Sequence, residues 1–262
     1  MWEEIEISPS STNVPTMSAT CHLQNQPSAH SNELFEKQWQ LYQKVLKHNY
    51  MGHRELYDVL HGFVADRFQN PFSFLDLGCG DATFAVRALA NTPVALYQGI
   101  DLSAAALAFA RENVAALSCS SGFIEGNFLT VVPDLVRNSN TRFDAILASF
   151  ALHHLSREEK EQTIAELHHL LNPDGVFLLA DVVRRQGETR DDYLHRYLSN
   201  VRRDWQEISP EEYASIEEHL LSRDFPETEE TLLGFAHRNG FSNVTNLYRD
   251  DLDTTQLLCF SY

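Results

Sequence analysis

Residues 74–82 read FLDLGCGDA, an apolar run that ends in an acid and then turns through two glycines. A helix-like stretch, Thr83–Leu89, follows the turn. In this order a buried parallel strand passes the chain to a helix whose N-terminus faces a nucleotide-like ligand. Glycine allows both the tight turn and the close approach of the backbone to that ligand. The stretch therefore predicts an α/β fold that binds a nucleotide-like molecule.

Strands and helices alternate on both sides of this turn. Apolar runs and turn signals predict strands over 72–77, 94–100, 122–126, 142–148 and 176–180. Ser103 and Ser156 are predicted helix caps, and Asn172–Gly175 is a predicted turn. Two closing strands, near 244–249 and 256–261, are close enough in sequence to form an antiparallel hairpin. Strands this apolar are typical of a doubly wound, mostly parallel sheet that is covered on both faces.

Four segments are predicted. Residues 1–30 are polar and are expected to form a disordered tail, and residues 31–70 carry two amphipathic helices that we expect to act as a lid. Residues 71–183 and 226–262 form the α/β core. Between them, residues 184–225 are a polar, strongly helical insertion after strand five, which is a second candidate lid.

Composition disfavours a nucleic-acid partner, a zinc site and a disulfide framework. The formal net charge of −17 disfavours a nucleic-acid partner, because the chain would repel a phosphate backbone. The four cysteines form no CxxC pair, which argues against a zinc site or a disulfide framework. Neither a membrane-spanning run nor a secretory signal is visible, so we expect a cytoplasmic protein with no membrane partner. The sequence makes no prediction of an oligomeric state.

Polar and aromatic residues follow the ends of four predicted strands, where ligands of such sheets bind. Asp101 lies 21 residues beyond Gly80 and is predicted to accept both hydroxyls of a ribose; the alternative is an acid that stabilises a helix N-terminus. Asp76 is predicted to hold the turn or a ligand amine. Asn127 and Phe128 are predicted to contact an adenine ring. Cys79 is read as a small residue that fits the turn.

The glycine pattern leaves two cofactors open. The NAD pattern GxGxxG requires glycine at position 83, where the chain has Thr83, and the methyltransferase pattern GxGxG requires it at Ala82. Alanine is the milder departure, and the dinucleotide fold does not usually end in a hairpin. S-adenosylmethionine is therefore favoured over NAD.

Taken together, residues 74–85, 99–103, 126–128, 143–155 and 170–181 resemble the class I S-adenosylmethionine-dependent methyltransferases. Within that class they resemble the small-molecule branch, which carries an HHL signature after strand four. The resemblance implies a seven-stranded sheet whose last strand is antiparallel, with S-adenosylmethionine as cofactor and S-adenosylhomocysteine as product. The family usually has Asp where this chain has Asn127. The predicted cofactor site comprises Asp76, Gly78, Cys79, Gly80, Asp101, Leu102, Asn127, Phe128, Ser149 and Arg54.

The predicted reaction is an in-line methyl transfer to a small molecule. His154 is the predicted base or orienting residue, and no metal is predicted. The predicted substrate contacts come from the two lids: Tyr42, Tyr50, His53, Tyr193, Tyr197 and Arg202. Two alternatives stay open from the residues alone, namely an NAD(P)-dependent oxidoreductase and a non-catalytic protein that binds S-adenosylmethionine.

Overall fold

A computed structural model describes residues 40–138 and 140–262. Residues Leu41–Tyr262 form one compact unit. The predicted tail and the first part of the N-terminal lid, up to residue 39, lie outside the described residues. In the described part no helix is both long enough and apolar enough to cross a bilayer.

The helices and strands alternate as predicted. In chain order they are α1 (40–47), α2 (His53–Arg67), β1 (Phe72–Leu77), α3 (Thr83–Leu89), β2 (Val94–Asp101), α4 (Ala104–Val114), β3 (Ser120–Glu125), α5 (Phe128–Asn138), β4 (Phe143–Ser149), a 3-10 turn (Leu152–His154), α6 (Arg157–Leu170), β5 (Leu171–Arg184), α7 (Arg190–Asp204), α8 (Pro210–Arg223), β6 (Glu227–Thr228), α9 (Glu229–Arg238), β7 (Asn243–Arg249) and β8 (Thr255–Ser261).

The strands form one sheet in the order β3-β2-β1-β4-β5-β8-β7. The pairs from β3 to β5 are parallel, whereas β8 runs antiparallel to both β5 and β7. This confirms the doubly wound, mostly parallel sheet and the closing hairpin. The structure adds one strand to the seven predicted, because the two-residue β6 pairs with the end of β5 at Val183 and Arg184.

The core lies on both faces of the sheet, as the period of two in the central strands requires. Phe74 and Leu147 pack in one buried cluster with α2, whereas Leu75 and Ile146 pack in the other with α6 and α9. These strands are buried on both sides, so their sequences read as continuous apolar runs.

Two predictions about local structure are corrected. The turn Asn172–Gly175 does not precede β5 but lies within it, because Leu171 already pairs with Phe143 and the register resumes at Ala145 and Val176. Between these two pairs β5 advances by five residues while β4 advances by two. The extra residues of β5 form a bulge that contains Asp174, whose φ is 65°. Helix α5 was not predicted, although its apolar residues recur at helical spacing; it contains Pro133 and several β-branched residues, which are disfavoured inside helices.

The insertion is a pair of capped helices. Thr189 and Ser209 each accept a hydrogen bond from the backbone three residues later, and the acids there bond back to the cap, which completes two capping boxes. The predicted capping box at Ser156 is confirmed in the same geometry. The apolar faces of α7 and α8 form a buried group, the lid core: Tyr193, Leu194, Tyr197, Leu198, Val201, Trp205 and Leu220, with Val45 and Val182.

Gly99 and Gly62 make a matched pair for testing the packing beneath the turn. A Cβ at Gly99 would lie 2.9 Å from Cys79 Sγ and 3.1 Å from Phe123 Cδ1, whereas a Cβ at Gly62 meets nothing within 4 Å. We expect Gly99→Ala to lower the free energy of unfolding by about 1–3 kcal/mol through overpacking. Gly62→Ala, inside α2, is expected to raise it by about 1 kcal/mol. Urea unfolding measures both, and equal effects of the two changes would contradict this account.

Candidate cofactor site

The turn after β1 is fixed by left-handed backbone and by bonds to β2. Gly78 and Gly80 have φ values of 65° and 52°. The amides of Gly78 and Cys79 both donate to the carbonyl of Ile100, at 2.8 and 3.1 Å. Ala82, which stands where the methyltransferase pattern has its third glycine, also takes a positive φ of 57°. The backbone therefore keeps the conformation of the motif although the residue differs.

The two glycines have different surroundings. A Cβ at Gly78 would lie 3.0 Å from the Cβ of Ala151, so the turn is packed against the segment after β4. A Cβ at Gly80 would meet nothing within 4 Å, so the backbone there borders open space in which a ligand fits. Cys79 is buried, and burial raises the pKa of its thiol, which agrees with a small packing residue and not with a nucleophile.

Asp101 joins the turn to the next loop. Its Oδ2 accepts from the amide of Gly80 at 2.8 Å, and its Oδ1 accepts from the amide of Ser103 at 2.8 Å. Each carboxylate oxygen keeps a further lone pair for a ligand hydroxyl. The role of Asp101 as a helix N-terminal acid is thus present in the structure, and it is compatible with the predicted ribose contact.

Asp76 lies beneath the turn in a buried position. The hydroxyl of Tyr97 donates to its Oδ2 at 2.7 Å. Burial raises the pKa of the Asp76 carboxyl to about 7, and the neighbouring charge of Asp101 acts in the same direction. A carboxyl in such surroundings is stabilised by a ligand cation.

At the end of β3, Asn127 starts α5: its Oδ1 accepts from the amide of Leu129 at 2.9 Å. Phe128 packs, partly buried, against the core. Leu102 is exposed at the same edge of the sheet, next to Asp101. The adenine contacts of Asn127 and Phe128 stay predictions.

Aromatic rings surround His53 at the end of β4. Its ring lies 4.6 Å from the ring of Phe150 and 5.2 Å from that of Phe84. His53 is 3% exposed, and its Nδ1 has no hydrogen-bond partner among the described residues. Burial lowers the pKa of His53 to about 4, so the imidazole is neutral at neutral pH. Nearby, the hydroxyl of Tyr57 donates to Ser149 Oγ at 2.6 Å.

The remaining predicted residues fall into separate places. Arg54 is exposed and donates to the carbonyl of Lys47; it lines a cavity of about 320 Å³ with Asp81 and Arg87. Tyr42 is 44% exposed as a whole, yet burial of its hydroxyl, together with Asp81 and Asp101, raises its pKa. Because Asp81 and Asp101 contribute to this rise in pKa, the Tyr42 hydroxyl lies within electrostatic reach of the glycine turn.

The predicted lid residues divide in the same way. Tyr193 is fully buried in the lid core. The side chain of Arg202 is 65% exposed and lies over the ring of Tyr213, 4.4 Å from its centroid. Arg202 does not line the cavity that contains Arg54. Tyr50 stacks on Trp205 with ring centroids 4.9 Å apart and an interplanar angle of 6°.

A second cavity, of about 420 Å³, lies between the insertion and the joint of α1 and α2. Its walls include Tyr50, Tyr197, Trp205 and Tyr248. Residues of the β7–β8 loop complete it, and this loop is at the carboxyl edge of the sheet because β7 runs parallel to β5. The sequence did not predict this cavity, since its walls come from three segments that are distant along the chain.

His154 lies apart from these cavities. Its Nδ1 is 3.3 Å from Asp224 Oδ1, at the end of α8, in a group that also contains His153 and His219. Its role as a base stays a prediction. The sequence could not show this group, because His219 and Asp224 are more than sixty residues away.

Comparison with known proteins agrees with this geometry. A family model described as a methyltransferase domain matches residues 74–175. An uncharacterised methyltransferase of Oceanobacillus iheyensis is 27% identical over 154 residues, which are 58% of this chain and 62% of that protein.

Two solved structures share the fold. An O-methyltransferase family protein from Burkholderia thailandensis superposes with a TM-score of 0.55 at 18% identity, covering 79% of this chain and 55% of that one. Magnesium protoporphyrin IX methyltransferase from Synechocystis, solved with bound S-adenosylmethionine, gives 0.50 at 16% identity and covers 80% and 79%. The chain thus spans less than two thirds of the first curated relative and of the first solved structure.

The raised pKa of Asp76 predicts an unusual pH dependence of stability. In the unfolded chain this carboxyl loses its proton near pH 4, whereas in the folded chain it keeps it up to about 7. Folding therefore takes up a proton in this window, and the contribution of Asp76 to the free energy of unfolding falls as the pH rises from about 4 to 7. Asp76→Asn, which stays neutral, is expected to lose that slope and to be more stable than the parent at pH 8.

Urea unfolding at several pH values between 4 and 8 measures this effect, with a maximum slope of about 1.4 kcal/mol per pH unit. Asp66→Asn, at an exposed position of α2, is the matched control and should keep the slope of the parent. An Asp76→Asn protein that is less stable than the parent at pH 8 would refute the assignment.

Proposed function

We propose that the chain carries a class I S-adenosylmethionine-dependent methyltransferase domain and that it methylates a small-molecule acceptor without negative charge. The observation that carries the proposal is the cavity of about 420 Å³ at the carboxyl edge of the sheet. Its volume is in the range of pockets that enclose one small ligand. Its walls are aromatic, which suits a flat or apolar part of the acceptor.

The charges around this cavity favour a neutral or cationic acceptor. Glu55, Asp250 and Asp251 line it together with one guanidinium, that of Arg249. Arg249 is already paired with Glu229 and with Asp253. The net charge of the cavity lining is therefore negative, as is the formal net charge of the whole chain, −17. An anionic acceptor would be repelled by these carboxylates at the cavity itself.

Phe150 lies between the sheet core and the lid core. It follows β4 directly and packs against both of these buried groups. Its backbone φ of 48° is a strained value for a residue with a side chain, and its amide donates to the carbonyl of Ala180. Phe150 and the adjacent ring of His53 lie behind the residues that line the cavity, and we propose that they support its inner end.

The residues of the cofactor site fit S-adenosylmethionine, which supplies an electrophilic methyl group on a positively charged sulfur when bound. Gly80 leaves space for the methionine end, and Asp101 keeps lone pairs for ribose hydroxyls. Asp76 places a carboxyl beneath the same turn, and a bound cation would favour its ionised form. We expect the aromatic rings beside the cavity to reduce the water around the reacting centre, which favours loss of charge there.

We propose His53, which follows the cavity residue Gly52 directly, as the residue that takes a proton from the acceptor. Its Nδ1 is buried, without a partner among the described residues, and its ring is neutral above about pH 4. A neutral imidazole with one uncommitted nitrogen can accept the proton that a hydroxyl or amine loses as methyl transfer makes its nucleophilic atom more acidic. It serves acceptors that attack with a lone pair while carrying a proton, such as a phenol or a neutral amine.

Incubation of the purified protein with S-adenosylmethionine and a panel of acceptors tests the function. The panel contains amines and N-heterocycles, phenols, carboxylic acids and total RNA, and the readout is S-adenosylhomocysteine by mass spectrometry. We expect product with neutral or cationic small molecules. Product with carboxylic acids or RNA only would overturn the proposal. So would tight cofactor binding with no product from any pool, which is the result expected of a non-catalytic binding protein.

The charge preference has its own variant. Asp251 lines the cavity, whereas Asp66 lies on the exposed side of α2. Asp251→Lys should raise KM for a cationic acceptor about tenfold, and Asp66→Lys should leave it unchanged, because the charge effect is local and screened beyond about 10 Å.

The base is tested by replacing the imidazole with a ring of similar shape. His53→Phe should lower kcat for a phenol or a neutral amine about 100-fold or more and leave the affinity for S-adenosylhomocysteine within about threefold. His237→Phe, on the exposed side of α9, is the control. In the parent, the acid limb of the pH–rate profile should lie nearer 4 than 6.5. Unchanged kcat in His53→Phe would remove the base from the mechanism.

A further inference from the structure

A cluster of histidines and one buried aspartate fastens the insertion to the sheet. His153 and His154 belong to the 3-10 turn after β4, His219 lies on α8, and Asp224 follows α8 directly. From this arrangement we propose that His153, His154, His219 and Asp224 bind one divalent transition-metal ion, of which Zn²⁺ is the representative, at the junction of lid and core.

The distances are those of a coordination sphere. Asp224 Oδ1 lies 3.8 Å from His153 Nε2, 3.3 Å from His154 Nδ1 and 3.5 Å from His219 Nε2. Ligand bonds of about 2.0–2.1 Å in a tetrahedron give ligand-to-ligand distances of about 3.3–3.4 Å. One ligand atom each of His153, His154 and Asp224 lies within 4.8 Å of the others. His219 lies outside this group of three, so its ring would have to move toward the others to become the fourth ligand. His154 Nδ1, which is also 3.3 Å from the carbonyl of Arg223, would exchange that contact for the ion.

The Oδ1 atom of Asp224, at the centre of the cluster, lacks a hydrogen-bond donor among the described residues. The side chain of Asp224 is 4% exposed, and Oδ1 accepts no hydrogen bond from any described residue, although three ring nitrogens lie within 3.8 Å. A buried carboxylate oxygen without a donor is costly. A cation at the centre of these nitrogens removes that cost, and imidazole with carboxylate is a donor set that suits Zn²⁺.

A second carboxylate orients the first ligand. His153 Nδ1 lies 2.5 Å from Asp181 Oδ1, and the amide of His153 donates to Asp181 Oδ2 at 3.0 Å. This bond leaves Nε2, the nitrogen that faces Asp224, as the coordinating atom. Metal-binding histidines commonly have such a carboxylate partner, which fixes the ring and raises its basicity.

The backbone around the cluster is held independently of any ion. The amide of Phe225 donates to the carbonyl of His153 at 2.7 Å. The ammonium of Lys160, which is buried, donates to the carbonyls of Leu155 and Phe225 at 2.5 and 2.6 Å. The segments that carry the ligands are thus joined before binding, and an ion would reinforce that joint. The sequence predicts no metal, because His168-His169 and the other scattered histidines show no ligand spacing. The fold brings His219 and Asp224 next to His153 and His154.

The test uses the full chain after treatment with a chelator and does not depend on methyl transfer. Calorimetric titration with Zn²⁺ should give about one ion per chain, and the melting temperature should rise with the ion concentration. Co²⁺ should give the intense visible bands of a tetrahedral site. Failure of either metal to bind at a stoichiometry near one would overturn the proposal.

Two variants assign the ligands. His219 is half-exposed, so His219→Ala should fold normally and lower the affinity for Zn²⁺ by at least about tenfold. His195→Ala, at an exposed position of α7, is the matched control and should bind as the parent does. Asp224→Asn should weaken binding further; if it fails to fold, His154→Ala takes its place. Equal affinity of His219→Ala and the parent, or equal loss in His195→Ala, would refute the site.

Discussion

The carboxylate of Asp101 is the interaction on which the cofactor edge depends. By accepting from Gly80 on one side and from Ser103 on the other, it fixes the turn after β1 relative to the start of α4. The carbonyl of Ile100, one residue earlier, holds the other two amides of the turn. The end of β2 is therefore the template against which the glycine turn is shaped, and hydrogen bonds to a charged acceptor are among the stronger ones in proteins.

What the sequence could predict follows from how local each signal is. The central strands were found because burial on both faces leaves a continuous apolar run, and the caps at Ser103 and Ser156 were found because they act over three residues. Helix α5 was missed although its apolar residues follow the helical period, because Pro133 and the adjacent β-branched residues favour other structures. The bulge in β5 escaped because the residues of a turn do not reveal that a strand has already begun.

The candidate site residues also differ in how local their signals are in the sequence. Gly78, Gly80 and Asp101 lie within two neighbouring strand ends, so their proximity follows from the parallel sheet itself. The surroundings of His53 depend on Phe84 and Phe150, which come from two other segments. The cluster at Asp224 depends on how the insertion folds back onto the sheet. Such non-local contacts are set by packing, and a single sequence carries no periodic signal for them.

The insertion is held at both ends by different physical means. On one side the stack of Tyr50 and Trp205 and the lid core bury apolar surface, and Lys44 pairs with Glu212 at 2.7 Å. The apolar contribution dominates there, because a half-exposed ion pair is worth at most about 1 kcal/mol. On the other side the contacts are polar: Lys160 with two carbonyls, and the histidines with Asp224. The insertion is thus held to the core by buried apolar surface on one side and by polar contacts on the other.

The position of β8 has a consequence for how the chain reaches this structure. β8 follows every other strand in sequence, yet it lies between β5 and β7 and is buried along most of its length. Until it arrives, the edge of β5 offers unpaired amides and carbonyls beside an apolar face, which is the kind of surface that associates with other chains. The pairing also closes a loop that contains the whole insertion, so its entropy cost is paid late. The pairing of β8 with β5 thus joins residues that are far apart in sequence. The capping boxes of α7 and α8 act within each helix, so these helices do not depend on that pairing.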